Sequence, residues 1–430
     1  MAKHDSSKYG DLISKSIPIS SGCPKVYQMN PRSTKIGSIT CRTVGERKAD
    51  HTNRTILLVG ETGCGKSTLI NALVNYAMGV TWEDQVWFKI VNEVQGKQVE
   101  SQTLDVVVYK VIGFEDQTLP FSLTLIDTPG FGVTKGTQED NAVPTRLYEL
   151  FRSPEGVKEI HALGLVVKAS ENRLSDRQLY ILNSVMSLFG KDMEKNIILL
   201  ITHSNDMIPI NVFDALEVAG VKCGKNEKNE PIHFLFDNCK EIKGEQKERA
   251  LKYAHGTSTE GMMGLKAFLE SINHQNVEES MNVLAKRIRL TACIQNLKER
   301  IQNITKKQTE ILQAQEDVKK YENIFFTEIT TERKTLFEAE EKYGLNKCQK
   351  ELEDLKADKE RWLDEAYQHV KELKEIALIT NALSTHIYLD DLIQMMQDKG
   401  DEEKAKELGE VQTRLNKGLR AALKYMLMGK

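Results

Sequence analysis

The sequence predicts an α/β fold, a mostly parallel β-sheet arranged around a phosphate-binding loop, followed by an all-α region of coiled-coil and helical character. Three observations carry that prediction. In Gly60-Glu61-Thr62-Gly63-Cys64-Gly65-Lys66-Ser67-Thr68, two glycines separated by four residues are followed by Lys and Ser. From 53 to about 275, short continuous apolar runs alternate with amphipathic stretches, the pattern of strands covered on both faces by helices. Beyond about 276, glycine and proline nearly vanish and apolar residues recur at alternating spacings of four and three.

In chain order, residues 1–52 form an N-terminal arm with few periodic apolar positions and frequent Ser, Gly and Pro. It is read as mostly irregular, with one short strand near 35–44. Within 53–275 the expected strands are 55–59, 104–112, 121–126, 163–168, 197–201 and 233–236. The expected helices are 66–77, 145–151, 176–189, 212–219 and 265–272. The linker between 112 and 121 holds Gly113 and Pro120 and is too short for a crossover helix, so those two strands should be antiparallel neighbours. The region 276–430 opens with a long helix whose narrow stripe runs through Val277, Met281, Leu284, Ile294, Leu297 and Ile301. Gly344 breaks the pattern, a second helix starts near Cys348 and runs to about Ala382, a third covers 386–397, and Gly400-Asp401 turns into a last one, 402–428. The stripe suits either an intermolecular coiled coil or an intramolecular hairpin.

Composition excludes several classes. Net charge is −3, from 59 basic and 62 acidic residues, so no overall field attracts nucleic acid. No apolar run reaches the roughly 20 residues of a membrane helix, and Met1–Gly10 lacks a secretory signal. Basic Arg414, Lys417, Arg420 and Lys424 near the end leave peripheral membrane contact open. Seven cysteines, an odd number without metal-clip spacing, suit reduced thiols and a cytoplasmic location.

The chemistry is expected at loops leaving the strands. Backbone N–H groups from Gly60 to Thr68 can wrap a polyanion, while the next helix presents its positive end. Lys66 is expected to reach the outer phosphates and the Ser67 hydroxyl to ligate Mg²⁺. Leu123-Thr124-Leu125-Ile126-Asp127-Thr128-Pro129-Gly130 follows, with Asp127 61 residues after Lys66. Asp127 is expected to hold Mg²⁺ through water, and the Gly130 N–H to meet the γ-phosphate. Thr103, just before an antiparallel strand, is the expected hydroxyl of a phosphate-sensing loop, with Thr81 as the alternative. Lys66 and Thr103 are therefore the catalytic candidates. After strand 197–201, His203-Ser204-Asn205-Asp206 stands where a guanine reader carries Asn-Lys-x-Asp. Asp206 matches the base-pairing acid, His203 replaces the Asn, and Asn238 is expected to complete the pocket. Cys64 sits beside a helix N-terminus and Lys66, surroundings that lower a thiol pKa.

With these residues in view, residues 53–275 resemble the septin-like, AIG-type branch of the P-loop GTPases. The nearest likenesses are GTPases of immunity-associated proteins, plastid outer-envelope import GTPases, and fish and invertebrate septin-like G domains followed by coiled coil. The carrying residues are the phosphate loop with Leu69-Ile70-Asn71-Ala72-Leu73, Asp127-Thr128-Pro129-Gly130-Phe131, and the stretch from His161-Ala162-Leu163 to Arg173-Leu174-Ser175. The resemblance implies GTP or GDP, Mg²⁺, and self-association across the nucleotide face. His203-Ser204 departs from the usual Asn-Lys or Arg-Lys pair, which weakens the case for guanine selectivity. Phe131 stands where many GTPases carry a water-positioning glutamine, so the expected activity is a slow GTPase stimulated by assembly, with His161, Asn172 and Arg173 as candidate groups acting in trans. The expected partner is a second copy of the chain, through the nucleotide face or the coiled coil. Two rival readings are a non-hydrolysing nucleotide-binding scaffold and an ATP-dependent P-loop protein.

Overall fold

The computed structural model describes residues 8–46, 52–91, 105–115, 117–129, 142–171, 174–238, 247–325, 331–379 and 383–413. Its packing divides into two units. The first holds residues up to 284 together with 376–383, and the second holds 285–375 and 384–413.

The first unit is organised by an eight-stranded sheet. Its members are β3 (Arg32–Ile36), β4 (Ile39–Val44), β5 (Asn53–Val59), β7 (Val107–Val111), β8 (Ser122–Asp127), β10 (Ala162–Lys168), β11 (Ile197–Thr202) and β12 (His233–Leu235), in the order β12-β11-β10-β5-β8-β7-β4-β3. The strands from β12 to β8 are mutually parallel; β7 runs antiparallel to β8, as the short 112–121 linker requires. Strands β8 and β11 are buried along their whole length because both faces are covered. Period-two alternation sends Ile56 and Leu58 to one core and Leu57 and Val59 to the other. Among the helices, α2 (Lys66–Ala77) contributes to the Ile56 side, α3 (Ala142–Arg152) and α4 (Asp176–Met186) to the Leu57 side, and α5 (Ile210–Val218) also joins the latter.

Two differences from the sequence reading concern this unit. The arm is not mostly irregular. It supplies a short helix α1 (Gly10–Ser14), β3 and β4 of the main sheet, and β1 (Ile17–Ser20) and β2 (Lys25–Gln28), which join β6 (Val86–Lys89) in a small satellite sheet. Strand β3 is polar and mostly exposed, so its sequence carries no apolar signal. It exists because β4 pairs with β7, and the Gly37-Ser38 turn then folds β3 back on β4. The helix expected over 265–272 is α6 (Lys247–Ser271), much longer. Gly256, Gly261 and Gly264 weaken the local helix signal. Two of these are contact glycines: a Cβ on Gly261 would lie 2.0 Å from the Leu235 carbonyl oxygen, and one on Gly264 3.0 Å from the Phe234 ring. Their bare backbone lets α6 lie close against β12. Short strands β9 (Glu159–Ile160) and β13 (Gln275–Asn276) pair with each other outside the main sheet.

The second unit is helical. Helices α7 (Glu278–Phe325) and α8 (Thr331–Ile376) are followed by α9 (Leu383–Lys399) and α10 (Glu402–Thr413). Within this unit, ion pairs Lys286–Glu372, Arg300–Asp358 and Lys307–Glu351 advance along α7 as they retreat along α8, so the two helices form an antiparallel hairpin in one chain. Its core includes Leu290, Leu297, Leu363, Val370 and Leu373. Further along, Ile301 and Ile304 are half-buried, Ile311 is buried and Leu312 beside it points outward, exposed. Gly344 does not break the helix. A Cβ there would meet nothing within 4 Å, and α8 runs straight through, since one exposed glycine costs only about 1 kcal/mol against Ala. Helix α8 ends at Ile376, short of the expected 382.

Candidate functional site

The site is assembled where the parallel strands end, the edge at which α/β sheets bind ligands. Strand β5 leads into the loop 60–65, which winds through left-handed glycines: φ is +79° at Gly63 and +97° at Gly65. No room exists for a side chain at Gly60, whose Cβ would sit 2.5 Å from the Val166 carbonyl oxygen. Strand β11 braces the loop from behind. The Thr202 hydroxyl, buried, donates to the Cys64 carbonyl at 2.6 Å, while its methyl faces Gly65. Lys66 is 8% exposed, and its ammonium donates to the Gly60 and Glu61 carbonyls at 2.8 and 3.3 Å, curling over the loop it belongs to. Ser67 and Thr68 open α2 and are half-buried.

Register brings the second motif alongside. Asp127 pairs with Leu58, two residues before Gly60, so its carboxylate ends β8 beside the phosphate loop and is fully buried. Thr128 fastens that exit by donating to the Leu58 carbonyl at 2.9 Å. The charges of Lys66 and Asp127 both act on the Cys64 thiol. The thiol departs from expectation: burial pushes its pKa up and outweighs the Lys66 ammonium and the helix N-terminus. Cys64 is a packed thiol.

The third loop follows β11. His203 and Asp206 have positive φ, +52° and +67°, which aims the turn away from the sheet. Ser204 is buried, donating its N–H to the Phe236 carbonyl and accepting the Asp206 N–H through its hydroxyl. Asp206 is exposed and lines a cleft of about 400 Å³ with Arg249, Lys252 and Tyr253 of α6. Next to it, Asp237 and Asn238 line a cavity of about 550 Å³ with Trp82, His255 and Ser258. Ser258 accepts the Asp237 N–H and donates to the Asn238 side-chain oxygen. Among the described residues, the buried Thr62 hydroxyl in the phosphate loop and the buried Asn238 side-chain nitrogen have no hydrogen-bond partner. Buried orphans of this kind mark polar atoms that a ligand can satisfy.

Gly60–Thr68, Asp127, His203, Asp206 and Asn238 therefore lie on the loops, strand end and helix start at one end of the parallel strands. Thr103 and Gly130 lie outside the described residues, as do Phe131, Asn172 and Arg173. Thr81 caps a short 3₁₀ turn, pairing with Asp84. His161 is displaced from its expected role. It is 1% exposed at the opposite end of the strands, its Nδ1 accepts the Thr55 N–H, and Arg54 lies 3.1 Å from Nε2. A side chain so enclosed cannot reach into another subunit. Sequence reasoning missed Trp82, Tyr253, His255 and Ser258. The signal for the last three was the amphipathic stretch after 247, hidden by the glycines of α6; Trp82 lies in the short 3₁₀ turn that Thr81 caps.

Residues 54–252 match the model of the AIG1 family. A curated relative, GTP-binding protein A of Dictyostelium discoideum, is 25% identical over 162 residues, covering 38% of this chain but only 30% of its own length. Among solved structures, Toc33 from Arabidopsis thaliana in complex with GDP and Mg²⁺ is 15% identical with a TM-score of 0.34, over 53% of this chain and 88% of that one. The LeoA bacterial dynamin GTPase from ETEC has 13% identity and a TM-score of 0.31, over 82% of this chain and 64% of that one. The phosphate loop and the Asp127 exit both fall inside the family match: residues 54–252, a little under half of the chain, form a P-loop domain that matches the AIG1 family.

Proposed function

We propose that the chain binds GTP and GDP with Mg²⁺ and hydrolyses GTP slowly, its nucleotide state governing self-assembly through the G domain and the helical region. The carrying observation is the convergence of three loops at one sheet edge: the phosphate loop at 60–68, Asp127 in register beside it, and the 203–206 loop next to Asn238.

Each group has a defined task. The loop amides and α2 N-terminus receive phosphate oxygens. Lys66 would exchange its bonds to the Gly60 and Glu61 carbonyls for bonds to phosphate. Ser67 and Asp127 offer hard oxygen donors, the set that Mg²⁺ takes; bound there, the ion would neutralise charge on the outer phosphates. Asp206 is the acidic acceptor for guanine, and the Asn238 nitrogen, already buried, is a donor awaiting an acceptor. Gly130 and Thr103 belong to the same proposal on sequence grounds. Phe131 in the glutamine position leaves no water-positioning group there, which favours slow turnover by the monomer and a group supplied on association.

The test is a titration with a fluorescent guanine nucleotide competed by GTP and ATP, joined to turnover measured across a hundredfold range of protein concentration. GTP should compete at least about tenfold better than ATP, Lys66→Ala should abolish binding, and turnover per molecule should rise with concentration. Flat turnover with intact binding would favour a catalytic group supplied by another protein or the non-hydrolysing scaffold. Equal competition by ATP would overturn guanine selectivity.

A further inference from the structure

We propose that Cys293, Glu365 and His369 form a transition-metal site, matched to Zn²⁺, that staples the two long helices of the second unit. Glu365 and His369 lie one turn apart on α8, and Cys293 comes from α7. One candidate ligand atom from each lies within 4.8 Å of the other two. His369 is the independent pointer. It is 6% exposed, yet among the described residues neither ring nitrogen has a partner within hydrogen-bond distance. The nearest carboxylate oxygens are Glu365 Oε1, 3.7 Å from Nε2, and Glu372 Oε2, 3.8 Å from Nδ1, both beyond hydrogen-bond reach. An imidazole enclosed without partners is costly unless something binds it.

The donor set suits the ion. Thiolate, imidazole and carboxylate together select zinc over the harder magnesium and calcium. Zinc bonds of about 2.0–2.3 Å in a tetrahedron set donors roughly 3.3–3.6 Å apart. The three atoms therefore need to close by about 1 Å, within the range of side-chain rotation. The Cys293 thiol gives its proton to solvent on binding, and thiolate plus carboxylate then cancel the dication, so no net charge is buried. Cys293 is 1% exposed, while the Glu365 side chain is 44% exposed and leaves a face open for water as fourth ligand. Glu372, on the Nδ1 side, can hold the proton there and leave the Nε2 lone pair for metal, as outer carboxylates do for metal-bound histidines. Lys286 and Arg289 also act on His369 and oppose a cation, but Lys286 is ion-paired to Glu372. A second cluster, Glu159, His161 and His274, lacks this character because the His161 ring is taken by Thr55 and Arg54.

The experiment uses untagged full-length protein, stripped with a chelator, saturated with GDP and Mg²⁺, then given Zn²⁺ or Co²⁺. One equivalent of zinc should survive desalting, and cobalt should give a thiolate-to-metal charge-transfer band. Cys293→Ser and His369→Gln should each weaken zinc binding at least tenfold and remove the band, with Cys348→Ser unchanged. Glu365→Gln, at the exposed ligand, should weaken binding as well and keeps the test open if the buried variants misfold. No zinc retained by the wild type, or zinc retained equally by all three ligand variants, would overturn the proposal.

Discussion

Replacing Thr202 by Val tests how the phosphate loop is held. The hydroxyl donates at 2.6 Å to the buried Cys64 carbonyl, and its methyl group packs on Gly65. Valine keeps the shape, the methyl contact and the β-branched preference of the end of β11, and removes the hydroxyl with its bond to Cys64 and its 3.2 Å contact to His203 Nδ1. The Cys64 carbonyl is then buried without that partner, at a cost of about 1–3 kcal/mol. If the brace holds the loop in the form that receives phosphate, the cost falls on nucleotide binding, and affinity for GDP with Mg²⁺ should drop about 5- to 100-fold. Thr202→Ser retains the donor and should stay within about threefold of wild type, the loss of one methyl contact being small. The assay is equilibrium titration with fluorescent GDP, with circular dichroism confirming the fold. Wild-type affinity in the Val variant, or equal losses in the Ser and Val variants, would refute the brace as the cause.

Three further outcomes are expected. Asp206→Asn should cut the preference for GTP over ATP about tenfold or more, measured by competition, because it removes the acidic partner for the guanine edge. Gly261→Ala and Gly256→Ala should act in opposite directions on the denaturation midpoint. The first drives a Cβ to 2.0 Å from the Leu235 oxygen and should destabilise by about 1–3 kcal/mol, whereas the second meets nothing within 4 Å and should gain about 0.5–1 kcal/mol of helix preference. Burial, with Arg54 and His274 adding to it, lowers the His161 pKa from 6.5 to about 4, so the unfolded chain takes up the proton first; stability is whole above pH 6.5 and declines as pH falls toward 4, by about 2 kcal/mol between pH 7 and 5 at most, and His161→Gln should flatten that part of the pH dependence.

Sequence by itself determined the elements whose signal is local. The phosphate loop is legible because a phosphate-binding turn needs glycine at positive φ, and φ is a property of single residues. Continuous apolar runs gave β5, β8, β10 and β11, and the short 112–121 linker gave the reversed pairing of β7 with β8. The Asp127 exit could be placed by its apolar strand and the Thr128-Pro129-Gly130 turn, together with the spacing from Lys66. Tertiary structure decided what depends on distant partners. The polar strand β3 exists because β4 found the edge of β7, 63 or more residues later in the chain. Gly261 and Gly264, which weaken the local helix signal of α6, are points of close approach to β12, and Gly344 breaks nothing because α8 continues on either side of it. The stripe beyond 276 allowed two architectures; the intrachain ion pairs of the second unit chose the hairpin. Burial reversed the expected lowering of the Cys64 pKa and closed off His161, since desolvation is set by everything packed around a group and a one-dimensional neighbourhood carries only part of it.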